Sequence, residues 1–465
     1  MIETELKLLL NPKDIDKVKQ HPLLQQQTDS QQLYSIYFDT VEHDLLRNKI
    51  GFRIRHIGDK KVQTLKTAGS GIGGLHTRQE WETFITSDTP DYEKIPAAAL
   101  SYLPTNFASI KPIFITDFKR ITWLLTIEDS TIEVALDQGK VKTTTDSRPI
   151  SEIELELKSG SEITLYKVAL LLLDDIPLTI ENKSKAAIGY ALCKPKPLEF
   201  YIADSVKLNH DMTSEQAFIH IIWHCLQHLQ ANEDIVLYGD DIEGIHQMWL
   251  ALQRLLSCLN LYEPLIPKKT YINLYQEIKW INSILTIAKD WDIFTVNLQS
   301  VQPYYQDKLT ELQSEVRTKQ NDAYIQVREM LRSQRYTRIL LLLGEWLLEK
   351  PWRNKLELLP DLDSPITDFA NQVIHQHTDI TQLDELNTKF INHVIHFFTE
   401  FYPTNIISEY NKIIPNLQDE IDLNIISNLL EQLDLNTQVK YFLLGWYAYQ
   451  QKTSMDKFKI IANSI

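Results

Sequence analysis

Residues 1–10, MIETELKLLL, place Glu3, Glu5 and Lys7 at every second position, with Ile2, Thr4, Leu6 and Leu8 between them. Side chains of a β-strand alternate between faces, so a strand over residues 2–10 sends the three charges one way and the mostly apolar set the other. The pattern recurs along the first 200 residues. Arg53 and Arg55 flank Ile54, Glu80 and Glu82 flank Trp81, and Glu133 and Asp137 share a parity opposite to Ile132 and Val134. Glu152, Glu154, Glu156 and Lys158 alternate with Ile153, Leu155 and Leu157. For any one strand, a solvated outer face accounts for such charge. Taken together, carboxylates and bases packed this densely are costly unless their faces enclose something that needs both signs, which a closed barrel with a polar lumen would do. Carboxylates are hard oxygen ligands for Mg²⁺ or Mn²⁺, and Arg and Lys bind phosphate oxygens. A lumen with both suits a metal-bound polyphosphate.

The remaining short alternating runs of the first 200 residues, such as LYSIYFDT and FKRITWLLTIED, end at Gly, Asp or Ser turns and read as antiparallel strands. At CKPKPLEF (193–200) two prolines discourage regular structure, and a linker is expected there. From about residue 213 the period becomes helical. Ile245, Met248, Trp249, Leu252, Leu255, Leu256 and Leu259 form one apolar stripe at three- and four-residue spacing. The expected fold class is therefore α+β in two domains: residues 1–200 as an antiparallel β region and residues 205–465 as an all-α bundle.

The net charge of −15 is unevenly spread. Residues 1–200 carry 25 Lys and Arg against 28 Asp and Glu, and residues 201–465 carry 22 against 34. Nucleic-acid binding depends on neutralising phosphates with Lys and Arg, so this balance argues against a nucleic-acid partner. Apolar runs such as Val168–Leu173 fall far short of a membrane span, and no secretory leader pattern opens the sequence. The three cysteines, Cys193, Cys225 and Cys258, lie far apart without metal-ligand spacing. A cytoplasmic protein with no membrane partner is expected.

The stretch ETELK (3–7) resembles the ExExK signature of the CYTH superfamily, the triphosphate tunnel metalloenzymes. Matching segments follow in order: YFDT from Tyr37, FRIR from Phe52, TLK ending at Lys66, RQEWE from Arg78, FKRITW around Arg120, IEVALDQG from Ile132, SEIELELKSG from Ser151 and SKAAIGY with Lys185. The resemblance implies an eight-stranded antiparallel β-tunnel that hydrolyses a triphosphate with Mg²⁺ or Mn²⁺. It implies Glu3, Glu5 and Lys7 as the catalytic group. It makes Lys7, Arg53, Arg55, Lys66, Arg120 and Lys185 the phosphate clamps, and Glu3, Glu5, Glu80, Glu82, Asp137, Glu152, Glu154 and Glu156 the metal-binding carboxylates. Which of the last three bind metal is open from spacing, and Glu133 and Lys158 read as structural or rim charges. Ile188 departs from the pattern, since related sequences often have Arg before the Gly-Tyr pair, and one basic contact is expected to be missing.

The helical half resembles the CHAD domain, an all-helical module of two four-helix bundles that often follows a CYTH domain. The matching features are His246-Gln247-Met248, Arg254, Lys279 and the AKDWD turn with Asp290 and Asp292. Family members bind inorganic polyphosphate through rows of bases on these helices. Here Trp249, Gln253 and Leu256 stand where bases are common, as do Asn392, His393 and His396 on a later helix. With the acidity concentrated in this half, a packing or oligomer-forming role is favoured over polyphosphate binding. His220, His224 and His228 share a helix face, yet lack partners at ligand spacing and read as packing or surface histidines. The functional expectation is metal-dependent hydrolysis of inorganic triphosphate. The alternatives are thiamine triphosphate hydrolysis or adenylate cyclisation in the same tunnel, or a polyphosphate-binding adaptor.

Overall fold

The computed structural model describes residues 2–67, 69–305, 309–354, 360–377, 385–402, 421–433, 435 and 437–462. It divides into two compact units. One comprises Met1–Pro197 with Arg332–Glu349, and the other comprises Leu198–Leu331 with Lys350–Ile465. The expected pair of segments, 1–200 and 205–465, did not anticipate the exchange of Arg332–Glu349.

The first unit is built on ten strands, β1 (Ile2–Leu10), β2 (Gln27–Asp39), β3 (Gly51–Ile57), β4 (Lys60–Lys66), β5 (Ser70–Ile72), β6 (Leu75–Ile85), β7 (Lys111–Ile127), β8 (Ser130–Lys142), β9 (Ser147–Ser159) and β10 (Leu178–Ile180). Eight of them run β1-β9-β8-β7-β2-β3-β4-β6, all antiparallel, and β6 pairs back with β1 to close an eight-stranded barrel. Short β5 and β10 add to β6 and β1. Closure leaves no open edge among the eight, the usual hazard of antiparallel sheets.

Register decides what faces inward, because residues opposite one another in a ladder share a face. Around the barrel Glu3 faces Arg78, Glu5 faces Glu156, Lys7 faces Glu154, Asp137 faces Glu152 and Arg120, Arg53 faces Tyr37 and Thr64, and Lys66 faces Glu80. The intervening apolar residues point outward and are covered. Phe38, Phe52, Ile54, Leu65 and Ile85 pack under Ile95, Ala99, Leu103 and Ile110 of the β6–β7 connection. The helix Ile163–Asp175 packs on β1 and β9, and Leu6 and Leu8 on the outer parity of β1 are fully buried. Burying a side chain of this size stabilises by about 1.5–3 kcal/mol, so each strand is held by its outer face while its charges are kept inside.

A second apolar cluster breaks that rule: Leu33, Tyr37, Phe114, Phe118, Val141, Ile150 and Tyr190 lie together, backed by Ala186, Ile188 and Leu192. The β2, β7, β8 and β9 members have the lumenal parity, so they fill part of the barrel interior beneath the helix Lys185–Cys193. Gly189 permits the approach, since a Cβ there would lie 2.2 Å from the Phe114 ring. Ile188, where a further base was looked for, belongs to this apolar packing.

The helix Gln334–Glu349 also belongs to the first unit, packing on Ile163–Asp175 and β10. Gly344 meets Tyr166 there, with a Cβ at 344 falling 2.4 Å from the Tyr166 ring.

The second unit is helical, with Ser214–Ala231, Glu233–Tyr238, Ile242–Leu261, Ile272–Tyr305, Thr310–Leu331, Ile366–His377, Glu385–Phe397 and Thr437–Ala462 among its helices. Residues 194–212, where the linker was expected, contain neither helix nor strand. No helix among the described residues is long and apolar enough to cross a membrane.

Candidate active site

The barrel interior opens into a cavity of about 810 Å³ lined by Glu3, Glu5, Lys7, Arg53, Arg55, Lys66, Arg78, Glu80, Glu82, Arg120, Glu154, Glu156 and Lys185. Strand alternation therefore brings nearly all the expected site residues to one space. Asp137 and Glu152 lie just behind it, fully or almost fully buried, and bonded to residues that line it.

The deepest part is a network of three carboxylates and three cations. Arg120 grips Asp137 with two hydrogen bonds, Nε at 2.7 Å and Nη2 at 2.6 Å, and also donates to Glu154. Lys185 Nζ lies 2.6 Å from Asp137 and 3.0 Å from Glu154, and it also donates to Glu152. Lys7 Nζ approaches Glu154 at 2.5 Å and Glu5 at 3.6 Å. Burial alone would raise the Glu154 pKa, but Lys185, Lys7 and Arg120 outweigh it and hold the carboxyl well below its usual range. Glu152 goes the other way: burial raises its pKa, and Lys185 and Lys7 do not fully offset it. Burial also works against the Lys185 ammonium, yet Asp137, Glu152 and Glu154 together raise its pKa.

Nearer the β1–β6 seam, Arg78 bridges the two glutamates of the opening motif, Nε to Glu3 at 2.9 Å and Nη2 to Glu5 at 2.5 Å. Lys66 donates to both oxygens of Glu3, at 2.7 and 2.8 Å, and lies 3.2 Å from Glu80. Glu82 accepts from the Thr64 hydroxyl at 3.1 Å, and Glu156 pairs with Lys158 at 2.8 Å. Lys158 also reaches Glu133 at 3.4 Å.

Arg55 stands apart. Its Nε donates to Ser35 at 3.3 Å, and it makes no ion pair among the described residues. Burial, then the guanidiniums of Arg53 and Arg120, push its pKa down to about 10. Arg53 is better served, with Glu80 at 3.9 Å and the Tyr37 hydroxyl at 3.4 Å; burial works against its charge, but Tyr37 and Glu80 outweigh it and raise its pKa, although its Nε is buried without a hydrogen-bond partner. Arg55, Arg120 and Lys185 all lie over the Phe118 ring, Lys185 at 4.9 Å. Of these three cations, Arg120 and Lys185 have carboxylate partners and Arg55 has none among the described residues, in a setting where an unpaired charge is costly.

Asp137, Glu152 and Glu154 can each offer an oxygen within 4.8 Å of the others, the one such grouping found among the described residues. Three buried hard oxygen donors are the ligand type of a Mg²⁺-class cation, which would enter by displacing the Lys185 ammonium that now bonds all three. The expected set of eight carboxylates thus separates. This trio lies together, Glu3 and Glu5 are held by Arg78 and their neighbouring lysines, Glu80 borders Lys66, and Glu82 and Glu156 have partners of their own.

Arg78 is the residue that reading the sequence for roles passed over, although RQEWE was noted. Its parity with Glu80 and Glu82 was the available signal, since all three must share a face of β6. In the helical unit, His228 Nε2 bonds Gln247 at 2.8 Å while His220 is exposed, so the three-histidine face does not converge. Trp249 Nε1 donates to Thr286 at 3.0 Å and Gln253 to Asn282 at 2.9 Å. Two positions where bases were looked for therefore join the helix Ile242–Leu261 to Ile272–Tyr305.

A closed antiparallel barrel whose lumen mixes carboxylates with guanidinium and ammonium groups defines a charged β-tunnel. Comparison with known families agrees: residues 1–190 match the CYTH domain and residues 220–383 match the CHAD domain, so the chain carries a CYTH domain followed by a CHAD domain. The chain is 36% identical over 194 residues to an inorganic triphosphatase of Haemophilus influenzae, a match covering 41% of this chain and 54% of that protein. It thus spans about half the length of that relative. Among solved structures, the CHAD domain from the plant Ricinus communis is 25% identical, covering 57% of this chain and 97% of that one, with a TM-score of 0.49. An adenylyl-cyclase-related protein from Hippeastrum, described as having a dominant triphosphatase activity, is 20% identical, covering 42% of this chain and 99% of that one, with a TM-score of 0.34.

Proposed function

We propose that the tunnel hydrolyses inorganic tripolyphosphate to pyrophosphate and phosphate with the help of a divalent cation. The observation that carries this is Arg55, a guanidinium on the cavity wall with no ion pair among the described residues, beside Arg53, whose ion pair is with Glu80 at 3.9 Å. An anionic ligand that reaches Arg55 supplies the pairing it lacks, and phosphate oxygens match the guanidinium fork. Charge continues along the cavity through Lys7, Lys66, Arg120 and Lys185, which suits a substrate that is phosphate throughout. Two residues whose roles are expected from the CYTH resemblance, Glu3 and Glu5, are held by Arg78 and remain within the same cavity.

Asp137, Glu152 and Glu154 are the residues that would hold the cation, which when bound supplies Lewis-acid neutralisation of phosphate charge. The chain's own part is positioning and electrostatics. Arg53, Arg55 and Lys185 fix one end of the phosphate chain, and Lys7 and Arg120 face the reacting centre, where negative charge on the departing oxygens must be stabilised. A lumenal carboxylate would accept the proton of the attacking water. The related organic reactions, thiamine triphosphate hydrolysis and ATP cyclisation, would use the same phosphate clamps. For the helical unit we propose a packing role, supported by the polar bonds of Trp249 and Gln253.

The test is phosphate release by the purified full-length protein from tripolyphosphate, ATP, thiamine triphosphate and pyrophosphate, with and without Mg²⁺ or Mn²⁺. Metal-dependent release selective for tripolyphosphate is expected. Selective release from ATP or thiamine triphosphate would move the substrate to the organic class, and no release from any of them would reject hydrolysis.

A further inference from the structure

The loop between β2 and β3 contains a backbone feature that the clamps described above do not use. Asp44–Arg47 forms one helical turn, after which Lys49 takes φ +56°. Lys49 N–H bonds Leu46 O at 2.9 Å and Ile50 N–H bonds Leu45 O at 2.8 Å. These are the paired bonds of a Schellman ending, whose left-handed position is ordinarily filled by Gly because a Cβ there is strained. A lysine occupies it instead.

The loop that imposes this conformation is firmly anchored. Asp39, fully buried, accepts hydrogen bonds from the backbone N–H groups of Thr40 at 2.7 Å, Leu45 at 2.9 Å and Leu46 at 3.0 Å. The Tyr190 hydroxyl donates to the same carboxylate at 2.9 Å. One side chain therefore joins the turn before Lys49 to the helix that carries Lys185. Lys49 itself lines the cavity while remaining exposed, and it makes no ion pair among the described residues. It is a lip residue, with strain retained at a position where Gly would relieve it, and such strain is commonly tied to function.

We propose that Lys49 is a specificity-determining contact on the lip of the tunnel, binding the outermost phosphate of a linear polyphosphate whose inner end is held by Arg53, Arg55 and Lys185, with Asp39 as the residue that positions it. This rests on the tripolyphosphate reading of the same cavity. Because the contact is made outside the reacting centre, it contributes to binding more than to the chemical step. Its effect should grow with chain length, since pyrophosphate need not reach the lip.

The experiment compares wild type, Lys49→Gln and Lys49→Gly in the full-length protein, with pyrophosphate, tripolyphosphate and tetrapolyphosphate. Affinity is measured by calorimetry, and KM and kcat are measured wherever phosphate is released. Lys49→Gln is expected to weaken affinity for tripolyphosphate and tetrapolyphosphate about three- to tenfold, with pyrophosphate affinity and kcat within about twofold. Lys49→Gly is expected to weaken binding in the same way while raising the unfolding midpoint by about 1–3 °C, a combination that a merely structural lysine would not give. Unchanged affinity for all three phosphates in both variants, or an equal loss for all three, overturns the proposal. Calorimetry decides this even if the wild type releases no phosphate, so failure of the hydrolysis reading is separable from failure of the lip contact.

Discussion

The two units handle buried charge in different ways. In the tunnel, Glu5, Lys7, Arg53, Asp137, Glu152, Glu154 and Lys185 are all buried, yet they line a cavity or lie just behind it, and several belong to one interlocked network. Among the described residues of the helical unit the buried charges are fewer, and the best-partnered of them tie helices and side chains together. Glu215 accepts from Trp352 at 2.8 Å and Arg353 at 2.7 Å, and Asp292 accepts from Gln320 at 2.6 Å and Tyr324 at 3.0 Å. Charges packed around an open space can exchange partners when an anion and a cation enter, whereas charges sealed between helices have their partners fixed. The difference teaches that amount of buried charge is a poor guide to a site, and that the informative features are a cavity and an unbalanced sign.

The comparison can be broken most sharply at Glu154, the carboxylate shared by Lys7, Arg120 and Lys185. Glu154→Gln should lower metal-dependent phosphate release at least about a hundredfold, because it removes one proposed cation ligand and leaves three cations under-compensated. Release within a few-fold of wild type would place the network with the structural charges of the helical unit.

Asp292 provides the opposite probe. Burial raises its pKa to about 6, despite hydrogen bonds from Gln320 and Tyr324. A carboxyl with a folded-state pKa above its unfolded value favours the folded state when protonated. Its cost is therefore fully present above about pH 6 and is relieved as pH falls towards about 4. Wild type should gain up to about 3 kcal/mol in stability from this group on acidification across that window, and Asp292→Asn should lack the gain. Denaturant unfolding of both proteins at pH 7 and pH 5 measures it, and identical pH slopes would show that the group is not buried as described.

Within the first unit, Gly344→Ala should destabilise by about 1–3 kcal/mol in the same assay, because the added methyl overlaps the Tyr166 ring. A neutral effect would mean that the helix Gln334–Glu349 can shift away at little cost. The smallest effect is expected at Arg338→Gln. Its 2.7 Å bond to Asp174 is exposed at both ends, and its loss should cost less than about 1 kcal/mol.

Much of the tunnel was legible in residues 1–200, because strand alternation is strictly local. Once Glu3, Glu5 and Lys7 lie on a strand they must share a face, and the same holds for Glu152, Glu154 and Glu156. The helical character of the second half was legible in the stripe from Ile245 to Leu259 for the same reason. What stayed hidden depends on which strands meet. Parity alone does not say that Arg78 of β6 lies opposite Glu3 of β1, nor that Asp137, Glu152 and Glu154 gather while Glu156 turns to Lys158.

The sequence by itself thus determined the alternating charged strands, the change to helical period after residue 200 and the residue types available to bind phosphate and metal. Only the tertiary structure decided the pairings across the closed barrel, the lack of an ion pair at Arg55, the apolar filling of part of the lumen and the assignment of Arg332–Glu349 to the tunnel unit. The physical reason is range. Side-chain direction in a strand or helix is set by neighbours a few residues away, whereas ion pairing and burial depend on groups far apart in sequence, such as Lys185 and Glu152 or Gly344 and Tyr166, that only the folded chain brings together.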